Sequence, residues 1–372
     1  MKFENVYIPL NAAWSSPFVR WQGPAAEVSS LDLAVQVTSR ALDERGIDGV
    51  DELVLGLTVP QKQSFYGAPT LAAKLGLDAV SGPLIMQACA TSVACIHAAA
   101  AGGQGTRLVV LTDRTSNGPH VVYPSARAPG GTPQSENWVM DSFGCDPNTG
   151  EGMLATAERV AAQGGFSKAE VDAVTARRWE QYEEALDGFQ KRWMVPISVK
   201  RDEIDADWGI RPAPLETLEG LRPVTEGGVV SYGSQTHPAD GCAGLIVTSE
   251  KAEVKILSSG FARVGRGEMP KAPVPAARAA LDDAGLTLDD IDIIKTHNPF
   301  AVNDLWLARE LGADVDAMNP FGCSLIYGHP QGPTGARGVV ELIWALHDRG
   351  GGRGLFTGCA AGDTGAALII EL

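Results

Sequence analysis

The chain repeats the stretch ALDERG, residues 41–46, as ALDDAG at residues 280–285. Each copy is followed by a run rich in apolar residues, at 51–55 in the first case and at 289–294 in the second. A helical pattern that stops at glycine and leads into such a run is typical of a helix followed by a buried strand. The same helix and strand unit therefore occurs in both halves of the 372-residue chain.

Two further pairs of segments follow in the same order and at similar spacing. Residues 71–76 resemble residues 307–312, and residues 107–112 resemble residues 353–357. The repeated unit is far longer than the roughly 20–50 residues of a solenoid repeat, so it predicts two related domains. Strands and helices alternate in both copies, which favours mixed α/β layers in which helices cover sheets.

The residues between the two copies have a different character. Many turn residues come first, then a long helical pattern at residues 151–185, then proline-rich and charged segments. This pattern predicts a domain inserted into the first copy, with the apolar run at 243–247 as the strand that returns to it. The predicted domains are residues 1–113 with 224–250, the insertion 114–223, and residues 251–372.

Composition narrows the class of protein. With 44% hydrophobic and 20% charged residues the chain is an ordinary globular protein, and its net charge of −15 argues against a general nucleic-acid surface. No apolar stretch approaches the roughly 18 residues of a membrane span, and the N-terminal residues lack a signal-peptide pattern, so we expect a cytoplasmic protein. Six cysteines without a Cys-x-x-Cys pair, with six scattered histidines, favour reduced thiols and predict no metal site.

Three segments far apart in the chain carry reactive side chains between small residues, glycine or proline. They are QACATS at residues 87–92, GHP at 328–330 and GCAAG at 358–362. A cysteine that attacks, a histidine that accepts its proton and a second cysteine that moves another proton together predict an acyl-transfer site.

Cys89 is the predicted nucleophile. It lies between an apolar strand-like run at residues 81–86 and an alanine-rich helical run at residues 91–101. A cysteine at the start of a helix is near the positive end of the helix dipole, which favours the thiolate. A single cysteine is more often an inert buried residue, so the prediction depends on the three segments together.

These segments, in this order, resemble those of the thiolase superfamily, and the resemblance covers nearly the whole chain. Residues 152–158 (GMLATAE) are similar to the signature that opens the family's loop domain, and residues 233–241 are similar to a glycine-rich loop of the family. The resemblance implies an α/β thiolase fold. In that fold, duplicated βαβαβαββ halves form a layered α/β/α/β/α sandwich with an inserted loop domain.

The resemblance also implies roles for individual residues. Cys89 would carry the acyl group as a thioester, His329 would accept its proton, and Cys359 would move a proton at the α-carbon of the acetyl unit. The stretch HNPF at 297–300 is similar to the His-Asp-x-Phe motif of sterol-carrier-protein-type thiolases, which assigns His297 to the enolate oxygen. The backbone N–H groups of Cys89 and Ala361 would form an oxyanion hole.

Coenzyme A and acyl-CoA are the implied substrates, with no permanently bound cofactor. Met153, Arg211 and Thr236 match positions near CoA, and Arg178 and Arg192 are further basic candidates for its phosphates. Relatives pair their first halves, so we expect a homodimer or a dimer of dimers; the need for an additional small partner subunit stays open.

Departures from the family pattern indicate a divergent branch with its own acyl substrate. The turn at residues 359–363 is CAAGD, where the family usually has glycines after the cysteine. Four tryptophans of the insertion are interpreted as its core or as walls of an acyl pocket; they are residues 138, 179, 193 and 208. The length and branching of the acyl group and the direction of the reaction stay open.

Two alternatives to a thiolase are a decarboxylative ketosynthase and a non-catalytic thiolase-like subunit of a larger complex. Ketosynthases usually replace the second cysteine by histidine or asparagine, so Cys359 argues against the first. A subunit kept only for assembly needs none of Cys89, His329 and Cys359, so their presence argues against the second.

Overall fold

The computed structural model describes residues 1–372 and contains 15 strands and 11 α-helices. The strands are β1 (Tyr7–Ile8), β2 (Ala13–Ser15), β3 (Val19–Arg20), β4 (Glu52–Gly56), β5 (Leu84–Ile85), β6 (Thr106–Arg114), β7 (His120–Tyr123), β8 (Gln134–Asn137), β9 (Ile197–Val199), β10 (Asp202–Ile204), β11 (Ala239–Thr248), β12 (Val254–Arg263), β13 (Ile293–His297), β14 (Arg353–Ala360) and β15 (Thr364–Glu371). The helices are α1 (Ser30–Arg45), α2 (Ala68–Lys74), α3 (Thr91–Ala101), α4 (Met140–Gly144), α5 (Met153–Gly164), α6 (Lys168–Leu186), α7 (Leu215–Glu219), α8 (Pro273–Ala284), α9 (Ala301–Leu311), α10 (Ser324–Tyr327) and α11 (Pro333–Arg349).

The duplication is visible in the order of the strands. The first half has the order β5-β4-β6-β11-β1, and the second half has the matching order β13-β14-β15-β12. In both halves one pair of neighbouring strands is parallel, β4 with β6 and β13 with β14, while the last strand is antiparallel to its neighbour. An antiparallel pair between β1 and β12 joins the two half-sheets.

Helices form three layers around these two half-sheets. The outer face of the first half-sheet is covered by α1 and α2, and that of the second by α8. Between the half-sheets lie α3 and α11, which contact each other and strands of both halves. The predicted sandwich of alternating helical and sheet layers is therefore confirmed. None of the helices has both the length and the apolar character needed to cross a membrane.

The two halves differ at one strand. No strand of the second half corresponds to β5, because Asn319, Phe321 and Gly322 have φ angles of 59°, 65° and 82°. These left-handed conformations interrupt an extended chain, and the short helix α10 follows instead. The predicted βαβαβαββ pattern is complete only in the first half.

Other local predictions agree in part. The helix expected over residues 91–101 is α3, and the strand expected to return from the insertion is β11. The long helical pattern over residues 151–185 is divided into two helices: α5 ends at Gly164, Gly165 follows with a φ of 64°, and α6 begins after Ser167. The side chains of Ser167 and Glu170 form a capping box there, which fixes a new helix start.

A buried ion-pair network connects the insertion to the central helix α11. The guanidinium of Arg337 donates to both carboxylate oxygens of Asp207, at 2.6 and 2.8 Å, and to Glu341 at 3.0 Å. The side chains of Arg337 and Asp207 are fully buried, and the guanidinium lies 3.6 Å from the ring centroid of Tyr327. The pair of Asp207 with Arg337 therefore fixes the residues after α6 against the middle layer.

We predict that Asp207→Asn lowers the free energy of unfolding by about 3–5 kcal/mol, because it leaves a buried guanidinium with one charged partner fewer. Urea denaturation followed by circular dichroism measures the change. Asp205→Asn is the matched control, since Asp205 is exposed and its substitution should change the value by less than about 0.5 kcal/mol. Equal stability of the two variants would show that the network does not hold the insertion in place.

Candidate active site

The turn that carries Cys89 lies immediately before α3. Ala88 has a φ of 44°, so the chain turns sharply just before the cysteine. The hydroxyl of Thr91 accepts a hydrogen bond from the N–H of Gln87 at 2.8 Å and donates one to the carbonyl of Ala88 at 2.7 Å. Thr91 therefore closes the turn, and Cys89 projects from it.

His329 lies in the loop between α10 and α11, on the other half of the molecule. Its Nε2 is 3.0 Å from Sγ of Cys89, and its Nδ1 is 2.6 Å from the hydroxyl of Thr334. When Nδ1–H donates to Thr334, the lone pair of Nε2 faces the thiol, which is the arrangement a general base needs. The structure thus brings together two residues that the sequence separates by 240 positions.

His297, at the end of β13, stacks on the ring of His329. The two ring centroids are 4.1 Å apart, with 27° between the planes. Nδ1 of His297 is 2.9 Å from the hydroxyl of Ser324, whereas its buried Nε2 has no partner. Burial lowers the pKa of His297 to about 3 and holds the pKa of His329 well below its usual range, so both rings are neutral.

Cys359 lies in β14 and is buried, and its neighbour Asn303 was not predicted. Nδ2 of Asn303 donates to Sγ of Cys359 at 3.2 Å, while Oδ1 of Asn303 has no partner. Burial raises the pKa of the Cys359 thiol, and the nearby Cys89 raises it further, while the Asn303 amide opposes the shift. Both burial and the proximity of Cys89 therefore disfavour the thiolate form of Cys359.

The electrostatics of Cys89 differ from the sequence-based expectation. Burial raises the pKa of its thiol to about 12, although the backbone N–H groups of Ala361 and of Cys89 itself favour the thiolate. The expectation of a lowered pKa is wrong because desolvation outweighs these dipoles and because α3 begins only at Thr91. The resting site holds a thiol beside a neutral imidazole.

Gln331 is a second contact of the thiol that sequence reasoning missed. Its Oε1 lies 3.3 Å from Sγ of Cys89, and its backbone has a φ of 64°. The next residue, Gly332, donates its N–H to the buried carboxylate of Asp113 at 2.8 Å, which holds this loop in place. The only sequence signal for Gln331 is its position two residues after His329.

Two adjoining pockets open at the site. The first has a volume of about 320 Å³ and is lined by Cys89, His329 and Met153, among others. The second, of about 430 Å³, is lined by Arg211 and other polar residues, and Thr236 lines both. The three residues predicted near CoA therefore line one continuous surface that leads to Cys89.

Two other basic candidates of the insertion are engaged elsewhere. Arg178 is buried and donates to Asp304 at 2.8 Å, and Arg192 forms an exposed ion pair with Asp348. These two arginines hold the insertion against the second half, and we do not assign them to a ligand.

The ligand atoms of Cys89, His297 and His329 lie within 4.8 Å of one another. A metal ion binds an imidazole in the plane of its ring. Because the two rings are stacked and nearly parallel, one ion cannot lie in both ring planes unless a ring turns. The arrangement suits proton transfer and hydrogen bonding to a substrate oxygen better than it suits a metal ion.

The similarity of this chain to known proteins extends over nearly its whole length. The family models of the thiolase N-terminal and C-terminal domains match residues 10–251 and 250–372. An acetyl-CoA acetyltransferase of Syntrophomonas wolfei is 29% identical and covers 98% of both chains. A beta-ketoadipyl-CoA thiolase of Pseudomonas knackmussii is 31% identical and covers 96% of both.

Solved structures agree. The acetyl-CoA acetyltransferase of Bacillus anthracis superposes with a TM-score of 0.89 at 28% identity, covering 100% of this chain and 99% of its own. Human mitochondrial 3-ketoacyl-CoA thiolase, solved in complex with CoA, gives a TM-score of 0.88 at 26% identity, covering 98% of this chain and 97% of its own. The predicted family, fold and enzyme class are confirmed: the chain belongs to the thiolase family and is a thiolase-type acyltransferase.

Proposed function

We propose that this protein cleaves a 3-oxoacyl-CoA with CoA, or condenses two acyl-CoA molecules in the reverse direction, through an acyl group on Cys89. The observation that carries the proposal is the 3.0 Å contact between Sγ of Cys89 and Nε2 of His329. His297 and Cys359 lie in the same buried site, which supplies the further groups that carbon–carbon bond cleavage needs.

In the first step Sγ of Cys89 attacks the C3 carbonyl of the substrate, and His329 takes the thiol proton. The negative charge that develops on the C3 oxygen is stabilised by the backbone N–H groups of Cys89 and Ala361, which already approach the sulfur. Collapse of this adduct breaks the bond between C2 and C3. It leaves the acyl group on Cys89 and an enolate of acetyl-CoA.

In the second step the enolate needs a donor at its oxygen and a proton at its carbon. Nε2 of His297 is buried without a partner, so a substrate oxygen that meets it removes the cost of an unsatisfied polar group. Cys359 gives its proton to the α-carbon, and the Asn303 amide stabilises the thiolate that remains. The thiol of CoA then gives its proton to the Cys359 thiolate and attacks acyl-Cys89. Acyl-CoA leaves, and the Cys89 sulfur takes back its proton from His329, so every group returns to its resting state.

The second pocket is the proposed CoA site. Arg211 and Arg20 line it. Burial lowers the pKa of the Arg20 guanidinium and the nearby Arg211 lowers it further, so two positive charges lie close together here in an otherwise acidic chain. Phosphate groups of CoA would neutralise this charge. Thr236 lies between the two pockets, where the pantetheine arm would run toward Cys89.

A second copy of the chain is the proposed partner. Strand β5 pairs with β4 on one side only and forms an edge of the sheet. Leu84 and Met86 are 40% and 57% exposed there, and Phe65 and Tyr66 are 92% and 76% exposed on the neighbouring loop. An apolar strand edge of this kind favours pairing with another chain, so we infer a homodimer built across β5.

Cys89→Ser is predicted to abolish the covalent intermediate. The wild-type protein is incubated with straight, branched and aromatic acyl-CoA and 3-oxoacyl-CoA thioesters. Its intact mass should increase by one acyl group, whereas that of Cys89→Ser should not change, because Cys89 is the nucleophile. Cys145→Ser is the matched control, since Cys145 is exposed and does not itself line the pocket. An adduct that persists in Cys89→Ser, or no adduct with any donor, would contradict the proposal.

Cys359→Ala is predicted to separate the two steps. Acylation of Cys89 by an acyl-CoA should remain detectable by mass, whereas exchange of the α-protons of acetyl-CoA with deuterated water should fall by about 10²–10⁴-fold, as expected for loss of a general acid or base. Proton NMR measures the exchange. Cys323→Ala is the control, because Cys323 is also buried. Normal exchange in Cys359→Ala would assign the proton transfer to another group.

The homodimer is tested by light scattering coupled to size exclusion at micromolar concentration. We expect the mass of two 39.1 kDa chains, or of four for a dimer of dimers. Met86→Lys should shift the protein toward the monomer, because it places a charge at the exposed strand edge. A wild-type monomer, or a dimer that Met86→Lys leaves intact, would show that β5 is not the interface.

A further inference from the structure

The pocket in front of Cys89 has an apolar wall. It is contributed by Phe143 of α4, Met153 and Leu154 of α5, Met269, and Pro299 and Phe300 before α9. Met269 and Phe300 are nearly fully buried, so this wall is a packed surface. The insertion and the second half together therefore shape the space beside the nucleophile.

The same pocket holds no fixed positive charge. No lysine or arginine lines it, and its only basic group, His329, is neutral because burial holds the pKa of the ring well below its usual range. Arg20 and Arg211 line the other pocket, beyond Thr236. The cationic part and the apolar part of the site are thus separated along the path from CoA to Cys89.

This separation indicates which part of the substrate each pocket binds. CoA carries the phosphates and needs the cations, so the acyl group meets the apolar wall. A volume of about 320 Å³ is at the lower end of the roughly 300–1,000 Å³ of small-molecule sites, and it exceeds what an acetyl group fills. None of the four insertion tryptophans lines this pocket, so phenylalanine and methionine side chains limit its size.

We propose that the acyl group transferred by this protein is uncharged and apolar, longer than acetyl, and does not end in a carboxylate. The proposal rests on the function proposed above and names its substrate class. A carboxylate against this wall would lose its water without gaining a cation or a set of donors, and buried charges without partners are strongly disfavoured. An alkyl or aromatic end would instead remove apolar surface from water.

The test compares three substrates of one reaction. They are 3-oxoadipyl-CoA, its terminal methyl ester, and 3-oxooctanoyl-CoA, with kcat/KM for thiolysis as the readout. The methyl ester lacks the negative charge of the terminal carboxylate of 3-oxoadipyl-CoA. We therefore expect kcat/KM for the ester and for 3-oxooctanoyl-CoA to exceed kcat/KM for the acid by about 100-fold. Equal values for acid and ester would overturn the substrate class while leaving the thiolase function intact. No turnover and no acyl-Cys89 with any substrate would refute the proposed function itself.

A substitution at Leu154 tests whether this wall sets the preference. Leu154 is half-buried at the start of α5, where a longer side chain can enter the pocket. Leu154→Arg should reduce the ratio of ester to acid by at least about tenfold, because it supplies the missing cation. Leu154→Gln is the control of similar length without charge and should keep the ratio near that of the wild type. An unchanged ratio in a folded Leu154→Arg variant that still turns over the ester would show that the acyl end lies elsewhere.

Discussion

The contact between α3 and α11 determines where the reactive groups lie. The hydroxyl of Ser92 donates to the carbonyl of Gly332 and accepts from the N–H of Ala336 at 2.8 Å, so the first turns of the two helices are joined directly. Gly335 permits this approach, because a Cβ there would lie 2.9 Å from Cβ of Ser92. Each half of the duplicated fold supplies one of these helices, and the segments before them carry Cys89 and His329. The site therefore exists only where both halves meet.

Burial between the two half-sheets determines the protonation states of the groups in this site. The thiols of Cys89 and Cys359 and the rings of His297 and His329 are all uncharged at rest, because desolvation disfavours their charged forms. Charge appears only when a substrate reacts. The reacting groups are already oriented by hydrogen bonds of His329 with Thr334, of His297 with Ser324 and of Cys359 with Asn303. Little reorganisation is then needed when charge develops, which is how such sites lower a barrier.

Much of this arrangement was accessible from sequence because its signals are local. The bounds of α3, the order of strands and helices in two copies, and the segments around Cys89, His329 and Cys359 depend on glycine, proline and apolar patterns within short windows. The division of the helical pattern after α5 also had a local signal, the glycines at 164 and 165 and the cap at Ser167, which the length of the pattern concealed.

Properties that depend on packing were not accessible. Gln331 contacts Cys89, 242 positions away in the sequence, and Asn303 contacts Cys359, 56 positions away. No pattern in the residues around Gln331 or Asn303 predicts these contacts. The direction of the pKa shift of Cys89 depends on how much water the surrounding layers exclude, which a helix start does not reveal. The missing strand of the second half follows from left-handed conformations at Asn319 and Phe321. Asparagine adopts this conformation more readily than most residues, but a bulky residue such as phenylalanine usually avoids it, so the sequence did not indicate the interruption.

The central claim is that two halves of the fold combine to carry an acyl group on one cysteine beside an apolar wall. A crystal structure of the protein trapped with a 3-oxoacyl-CoA during turnover tests it most directly. We predict electron density for an acyl group continuous with Sγ of Cys89, its carbonyl oxygen within hydrogen-bonding distance of the N–H groups of Cys89 and Ala361, and its chain against Phe143 and Met269. An unmodified Cys89 under conditions of turnover, or an acyl group bound to another residue, would contradict the account.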